Sequence, residues 1–116
     1  MCSSDLLQGA GWLTSEELWW NARGELKTHA PSTYKIPTAR DWPADARIAL
    51  LADEPNREDS IHRSKAVGEP PFMLAISVLE AIRDAVTACG KPGCFVALRA
   101  PATPEAVLAA IAEARA

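Results

Sequence analysis

Several functional classes leave no mark on this sequence. No apolar run approaches the roughly 18 to 20 residues that a bilayer crossing needs, so no membrane helix is expected. Met1 to Asp5 carries no basic stretch followed by an apolar one, so no secretory leader is expected either. Cysteine is scarce: Cys2, Cys89 and Cys94 are three in number and irregularly spaced, which makes no disulfide framework and leaves the cytoplasm as the default compartment. With His29 and His62 the only histidines, four good zinc ligands cannot readily be assembled. Cys89 and Cys94 read instead as thiols on either side of a Gly90-Lys91-Pro92-Gly93 turn, and no metal site is assigned. Basic residues are not in excess, and a formal net charge of -3 argues against general affinity for nucleic acid. Neither common spacing of a glycine-rich phosphate loop occurs, which counts against an independent nucleotide site.

What is there is ordinary globular material for one small domain, with 48% hydrophobic and 23% charged residues in 116. Three of the four tryptophans fall between Trp12 and Trp20, a polar break follows at Asn21-Ala22-Arg23-Gly24, and Glu25 to His29 alternates weakly. That pattern predicts a hairpin, with Trp19 and Trp20 on opposite faces and at least one covered from outside it. Pro31, Pro37 and Pro43 make residues 30–47 an extended connector. Arg47 to Leu51 predicts a short strand, and Ala52 to Arg63 a polar loop with a turn at Pro55-Asn56.

Phe72 to Ala88 predicts a long, mostly buried helix, because Ser77, Glu80, Arg83, Asp84 and Thr87 confine the polar positions to one narrow stripe. The glycine and proline of residues 90–93 end it. Cys94 to Arg99 predicts a last strand, and Thr103-Pro104-Glu105 opens a C-terminal helix with a cap, a first-turn proline and a first-turn acid. The sum is an α+β chain. So few short strands offer little sheet to cover the 72–88 helix and four tryptophans, which suggests a piece completing a larger body.

Glu69 is the leading chemical candidate. It stands between Gly68 and Pro70-Pro71, directly before the buried helix. There the helix dipole favours the carboxylate and burial opposes it, the balance by which a base is held ready in a dry site. On the residues alone a capping acid is the favoured reading. Asp59, Ser60 and His62 are close in sequence, but nucleophilic triads are assembled in space, so they read as loop chemistry. Lys65 reads as an ion-pair partner and, with Arg57 and Arg63, as a solvated basic cluster.

Two stretches carry a family resemblance. His62-Arg63-Ser64-Lys65-Ala66-Val67-Gly68-Glu69-Pro70-Pro71 resembles a signature of xanthine dehydrogenases, and Ala30-Pro31-Ser32-Thr33-Tyr34-Lys35-Ile36-Pro37 resembles a second block of the same enzymes at the same separation. Gln8-Gly9, Gly11-Trp12-Leu13-Thr14, Glu16-Glu17-Leu18 and Ala100-Pro101-Ala102-Thr103-Pro104-Glu105 extend the likeness from about Leu7 to the end. The Gly-Glu-Pro core is shared across molybdenum hydroxylases, while the longer runs are more specific to xanthine dehydrogenases.

The resemblance implies residues 1–116 as a C-terminal part of a molybdopterin-binding domain that oxidises hypoxanthine and xanthine to urate. Glu69 would be the base that deprotonates the molybdenum-bound hydroxyl, and Gly68 would lie close to the cofactor. Molybdopterin-molybdenum would be the cofactor, with iron–sulfur clusters and FAD on other domains or a partner subunit and NAD as acceptor. The other partners implied are a purine and the missing remainder of the molybdopterin-binding subunit, with no nucleic acid and no membrane. Residues 1–6 do not resemble the family, as at a truncation junction, and a glutamine that lies near the metal in the family has no counterpart here. The chain alone is therefore expected to be inactive. Two other readings stay open: an aldehyde oxidase-type molybdenum hydroxylase, and a non-catalytic interaction domain with Glu69 as a cap and the tryptophans as a docking surface.

Overall fold

The computed structural model describes residues 3–49, 52–65 and 70–116, with side chains for all of these except 3, 70 and 71. Among the described residues four α-helices order the chain: α1 (Ser3–Thr14), α2 (Pro70–Leu74), α3 (Ile76–Ala88) and α4 (Pro104–Arg115). Among the described residues there is no strand, which corrects the expected α+β class to a helical one.

The small core lies between α3, the extended segment after it and α4. It gathers Leu79 and Val86 of α3, Val96, Leu98 and Ala102, and Ala110 and Ala114 of α4, with Leu13, Ile82, Val107 and Ile111 packed around them. The start of α4 follows its sequence signals: the Thr103 hydroxyl accepts from the Ala106 N–H at 3.3 Å, Pro104 begins the helix and Glu105 sits in its first turn. At the far end α3 and α4 are tied together, with Arg115 Nε donating to the Cys89 carbonyl at 3.3 Å and Lys91 Nζ to the Ala116 carbonyl at 2.6 Å.

The expected strand at Cys94–Arg99 is extended but has no sheet neighbour among the described residues. Its alternation is real, since Val96 and Leu98 are buried while Phe95 is 85% exposed. Alternating burial is what one packed face produces, and only a partner's hydrogen bonds would make it a strand. At Arg47–Leu51 residues 47–49 form no regular element, and 50 and 51 lie outside the described residues.

The expected hairpin is reduced to its turn. Trp12 and Leu13 belong to α1, not to a strand. The turn itself forms at Asn21–Gly24: Asn21 Oδ1 accepts from the Arg23 and Glu25 N–H groups at 2.9 and 3.0 Å, and Gly24 takes the positive φ of 78° that glycine tolerates. One antiparallel bridge, Trp20 with Leu26, is all the pairing that follows. An isolated ribbon this short is marginal in water, so it does not extend into strands. Trp19 and Trp20 are 53% and 52% exposed, so the described residues bury neither of them fully.

The predicted 72–88 helix is broken at Ala75 into α2 and α3. Ala75, Leu79 and Val86 are buried, whereas Met73 and Leu74 are 62% and 63% exposed. The apolar pattern was read as burial, but burial needs a neighbour on that side, and the described residues place none there.

Candidate functional site

The residues that position the Glu69 motif lie on either side of it. Glu69 and Gly68 themselves fall outside the described residues. After them Pro70 opens α2, in agreement with the preference of proline for a first helical position. That helix is seated on α1. Gly9 of α1 is buried, and a Cβ on it would come within 2.8 Å of Ala75 Cβ and 3.1 Å of the Phe72 backbone. Beside this contact the Trp12 and Phe72 rings stack, centroids 4.7 Å apart and planes 8° from parallel. Sequence reasoning gave neither Gly9 nor Phe72 this packing role; glycine within a helix is a signal only when the helix has been recognised.

Before the motif, residues 56–64 fold on themselves around Asn56, whose Nδ2 donates to Ser60 Oγ at 3.0 Å and to the Ser64 carbonyl at 2.9 Å. Ser60 Oγ donates to the same Ser64 carbonyl at 2.9 Å. Ser60 therefore serves the loop, as expected from the sequence, and its hydroxyl is spent on backbone. His62 and Lys65 are both exposed.

A second constellation joins α1 to the Pro31–Pro37 block. Glu16 is only 6% exposed and stands against Gly11, with Pro37 on the same face. The Glu16 carboxylate as a hydrogen-bond acceptor, then burial, then the carboxylate charge raise the Tyr34 phenol's pKa above its ordinary value. Glu16 Oε1 has no hydrogen-bond partner among the described residues. Next to this pair an open groove of about 800 Å³ runs between α1 and the block, lined by Leu7, Ala10, Gly11, Tyr34, Pro37 and neighbours. Its hydroxyls and amine are already engaged: Thr14 donates to the Ala10 carbonyl, Ser15 to that of Lys35 and Lys35 to that of Ser32. Asp41 accepts from both the N–H and the hydroxyl of Thr38, and those bonds lower its pKa.

Among the described residues no three His, Cys, Asp or Glu side chains come together as a metal cage. Cys89 and Cys94 direct their thiols to the Ala85 and Thr87 carbonyls.

Comparison with known proteins decides the family. A molybdopterin cofactor-binding domain profile matches residues 6–43, a segment with most of α1, the buried Glu16 and the Pro31–Pro37 block. Xanthine dehydrogenase/oxidase of Felis catus is 47% identical over 107 residues, which is 87% of this chain and 8% of that protein. Xanthine dehydrogenase 1 of Arabidopsis thaliana is 44% identical over 112 residues, with the same shares covered. The chain is a molybdopterin-binding segment of the xanthine dehydrogenase family. Xanthine dehydrogenase of Dictyostelium discoideum is 50% identical over 82 residues, 71% of this chain and 6% of that protein. The chain thus spans under a tenth of the length of these family members.

Proposed function

We propose that this segment serves a molybdenum hydroxylase that oxidises hypoxanthine and xanthine to urate, and that Glu69 is its general base. The observation that carries this is the Ser64-Lys65-Ala66-Val67-Gly68-Glu69-Pro70-Pro71 run within a chain 47% identical to a xanthine dehydrogenase/oxidase. When bound, molybdopterin supplies a redox metal able to take the electron pair released at the purine carbon. The Glu69 carboxylate accepts the proton of the hydroxyl that attacks that carbon, and Gly68 leaves room for the cofactor beside the backbone. Iron–sulfur clusters and FAD elsewhere in the complete cytoplasmic enzyme would supply the electron path to NAD.

The exposed apolar surface supports work as part of a larger body. Met73, Leu74 and Ile76 on α2 and α3, with Trp19 and Trp20, are large apolar side chains left 47–63% exposed. The remainder of the molybdopterin-binding subunit is the cover proposed for it. Among the described residues no helix is long and apolar enough to cross a membrane.

The test is the product spectrum of the complete enzyme containing this segment. Urate from xanthine, with molybdenum present in stoichiometric amount, is the expected result. Oxidation of aldehydes without urate would transfer the segment to the aldehyde oxidase reading. Urate formation by the isolated 116 residues would contradict the division of labour proposed here.

A further inference from the structure

The extended segment between α3 and α4 is held at both ends and bare between them. The Cys94 N–H donates to the Lys91 carbonyl at 3.1 Å, closing the turn after α3, and the Ala102 N–H donates to the Leu13 carbonyl of α1 at 2.7 Å. From Phe95 to Ala100 no backbone N–H or carbonyl is hydrogen-bonded among the described residues. Backbone polar groups this close to a core are nearly always paired, so such a run needs an explanation. Successive residues of an extended chain turn their N–H and carbonyl groups to opposite edges. Val96 and Leu98, 4% and 5% exposed, use the edge set in the core. Phe95, Ala97 and Arg99 use the other, and all three residues are exposed. No proline interrupts that edge from Phe95 to Ala100.

We propose that the Phe95–Ala97–Arg99 edge takes a β-strand from the remainder of the molybdopterin-binding subunit, a partner that rests on the cover already proposed for the exposed apolar side chains. Donors and acceptors on one edge of an extended backbone recur every second residue, about 6.4–6.8 Å apart. Another extended backbone matches that spacing; a helix, whose backbone groups are used internally, does not. Phe95 to Arg99 has the length of an ordinary strand, roughly 5–6 residues. Phe95 is 85% exposed on the face away from the core, and it selects an apolar or β-branched side chain at the facing position of the incoming strand. The strand comes from the same protein and not from a second copy. This chain spans 8% of the xanthine dehydrogenase/oxidase of Felis catus, so the rest of such a polypeptide meets the edge at a high effective concentration that no separate copy matches.

Site-resolved hydrogen exchange on the complete enzyme tests this. The Phe95, Ala97 and Arg99 amides are expected to exchange on the order of a hundredfold or more slowly than in an unstructured peptide of the same sequence, whatever the protein concentration. Exchange at peptide rates would overturn the proposal, since water alone would then cover the edge. Protection that disappears on dilution would overturn it as well, because the occupant would be a second copy. Ala97→Pro deletes the central donor and should speed exchange at Phe95 and Arg99 by about tenfold or more, while Ala97→Ser, which keeps the N–H, should not. Unchanged protection in A97P would mean burial without pairing and would overturn the strand. If A97P yields no folded enzyme, the unmodified protein still decides by its exchange rates. Urate formation in the same preparation keeps the two readings apart. An unprotected edge in an enzyme that makes urate overturns the strand alone, and a protected edge without urate overturns the proposed activity alone.

Discussion

Replacing Gly9 by alanine sets two effects of opposite sign against each other. In a solvent-exposed helix the change stabilises by up to about 1 kcal/mol, because glycine is the poorer helix former. Here Gly9 is buried, and the new Cβ would lie 2.8 Å from Ala75 Cβ and 3.1 Å from both the Cα and the carbonyl oxygen of Phe72. Two of those three atoms are backbone, so α2 as a body has to move from α1. Overpacking of this kind costs about 1–3 kcal/mol. Separating α2 from α1 also loosens the Trp12–Phe72 stack, at 4.7 Å, and such a pair is worth about 0.5–1.5 kcal/mol. The unfavourable terms exceed the propensity gain, so G9A should destabilise by about 1–3 kcal/mol net. With a urea m-value of about 1–3 kcal/mol/M, the unfolding midpoint falls by roughly 0.3–3 M at unchanged slope. Urea titration followed by tryptophan fluorescence measures this, since Trp12 is itself the reporter. A midpoint raised by the substitution would mean that propensity wins and that α1 and α2 do not meet at Gly9.

Other expectations can be checked in the same preparations. Thr103→Ala removes the hydroxyl that accepts from Ala106 and should cost about 0.5–2 kcal/mol in the same urea titration. Tyr34 should ionise above its ordinary pH in an ultraviolet titration, and Glu16→Gln should bring that pH down; an unmoved curve would mean that the carboxylate does not bond the phenol. Glu25 has its pKa lowered by hydrogen bonds from Lys27 first, then Asn21 and Arg23. A depressed carboxylate pKa stabilises the turn above the unfolded value and loses that contribution as pH falls through the folded one. Carboxyl NMR should therefore place the Glu25 midpoint below an ordinary glutamate's, with amide exchange in Asn21–Lys27 rising through it.

Some elements were legible because a local rule settled them. Thr103-Pro104-Glu105 announced α4, Gly90 to Gly93 marked the end of α3, and the Asn21–Gly24 turn formed where a polar, glycine-ended break predicted it. Those signals are carried by capping and turn chemistry, which need no distant partner. The errors fell where packing decides. Residues 3–14 were not read as a helix because Gly9 and Gly11 weaken helix propensity, and their value lies in contacts with Phe72, Ala75, Glu16 and Pro37. Val96 and Leu98 imitated a strand because one face is packed. The break at Ala75 is invisible in an apolar run. For the site, the residues alone favoured Glu69 as a cap, and only the resemblance of the longer motif turned the expectation to a base. Asn56 was read as a turn residue, since nothing in the sequence shows that it and Ser60 share the Ser64 carbonyl.

The central claim is that Glu69 moves the proton in purine hydroxylation. Its most direct test is urate formation from xanthine by the complete molybdenum-loaded enzyme, compared with Glu69→Gln at equal molybdenum content. The account predicts urate from the unmodified enzyme and loss of turnover in E69Q, with the metal retained. Urate formed at a comparable rate by both would make Glu69 a helix cap and contradict the mechanism.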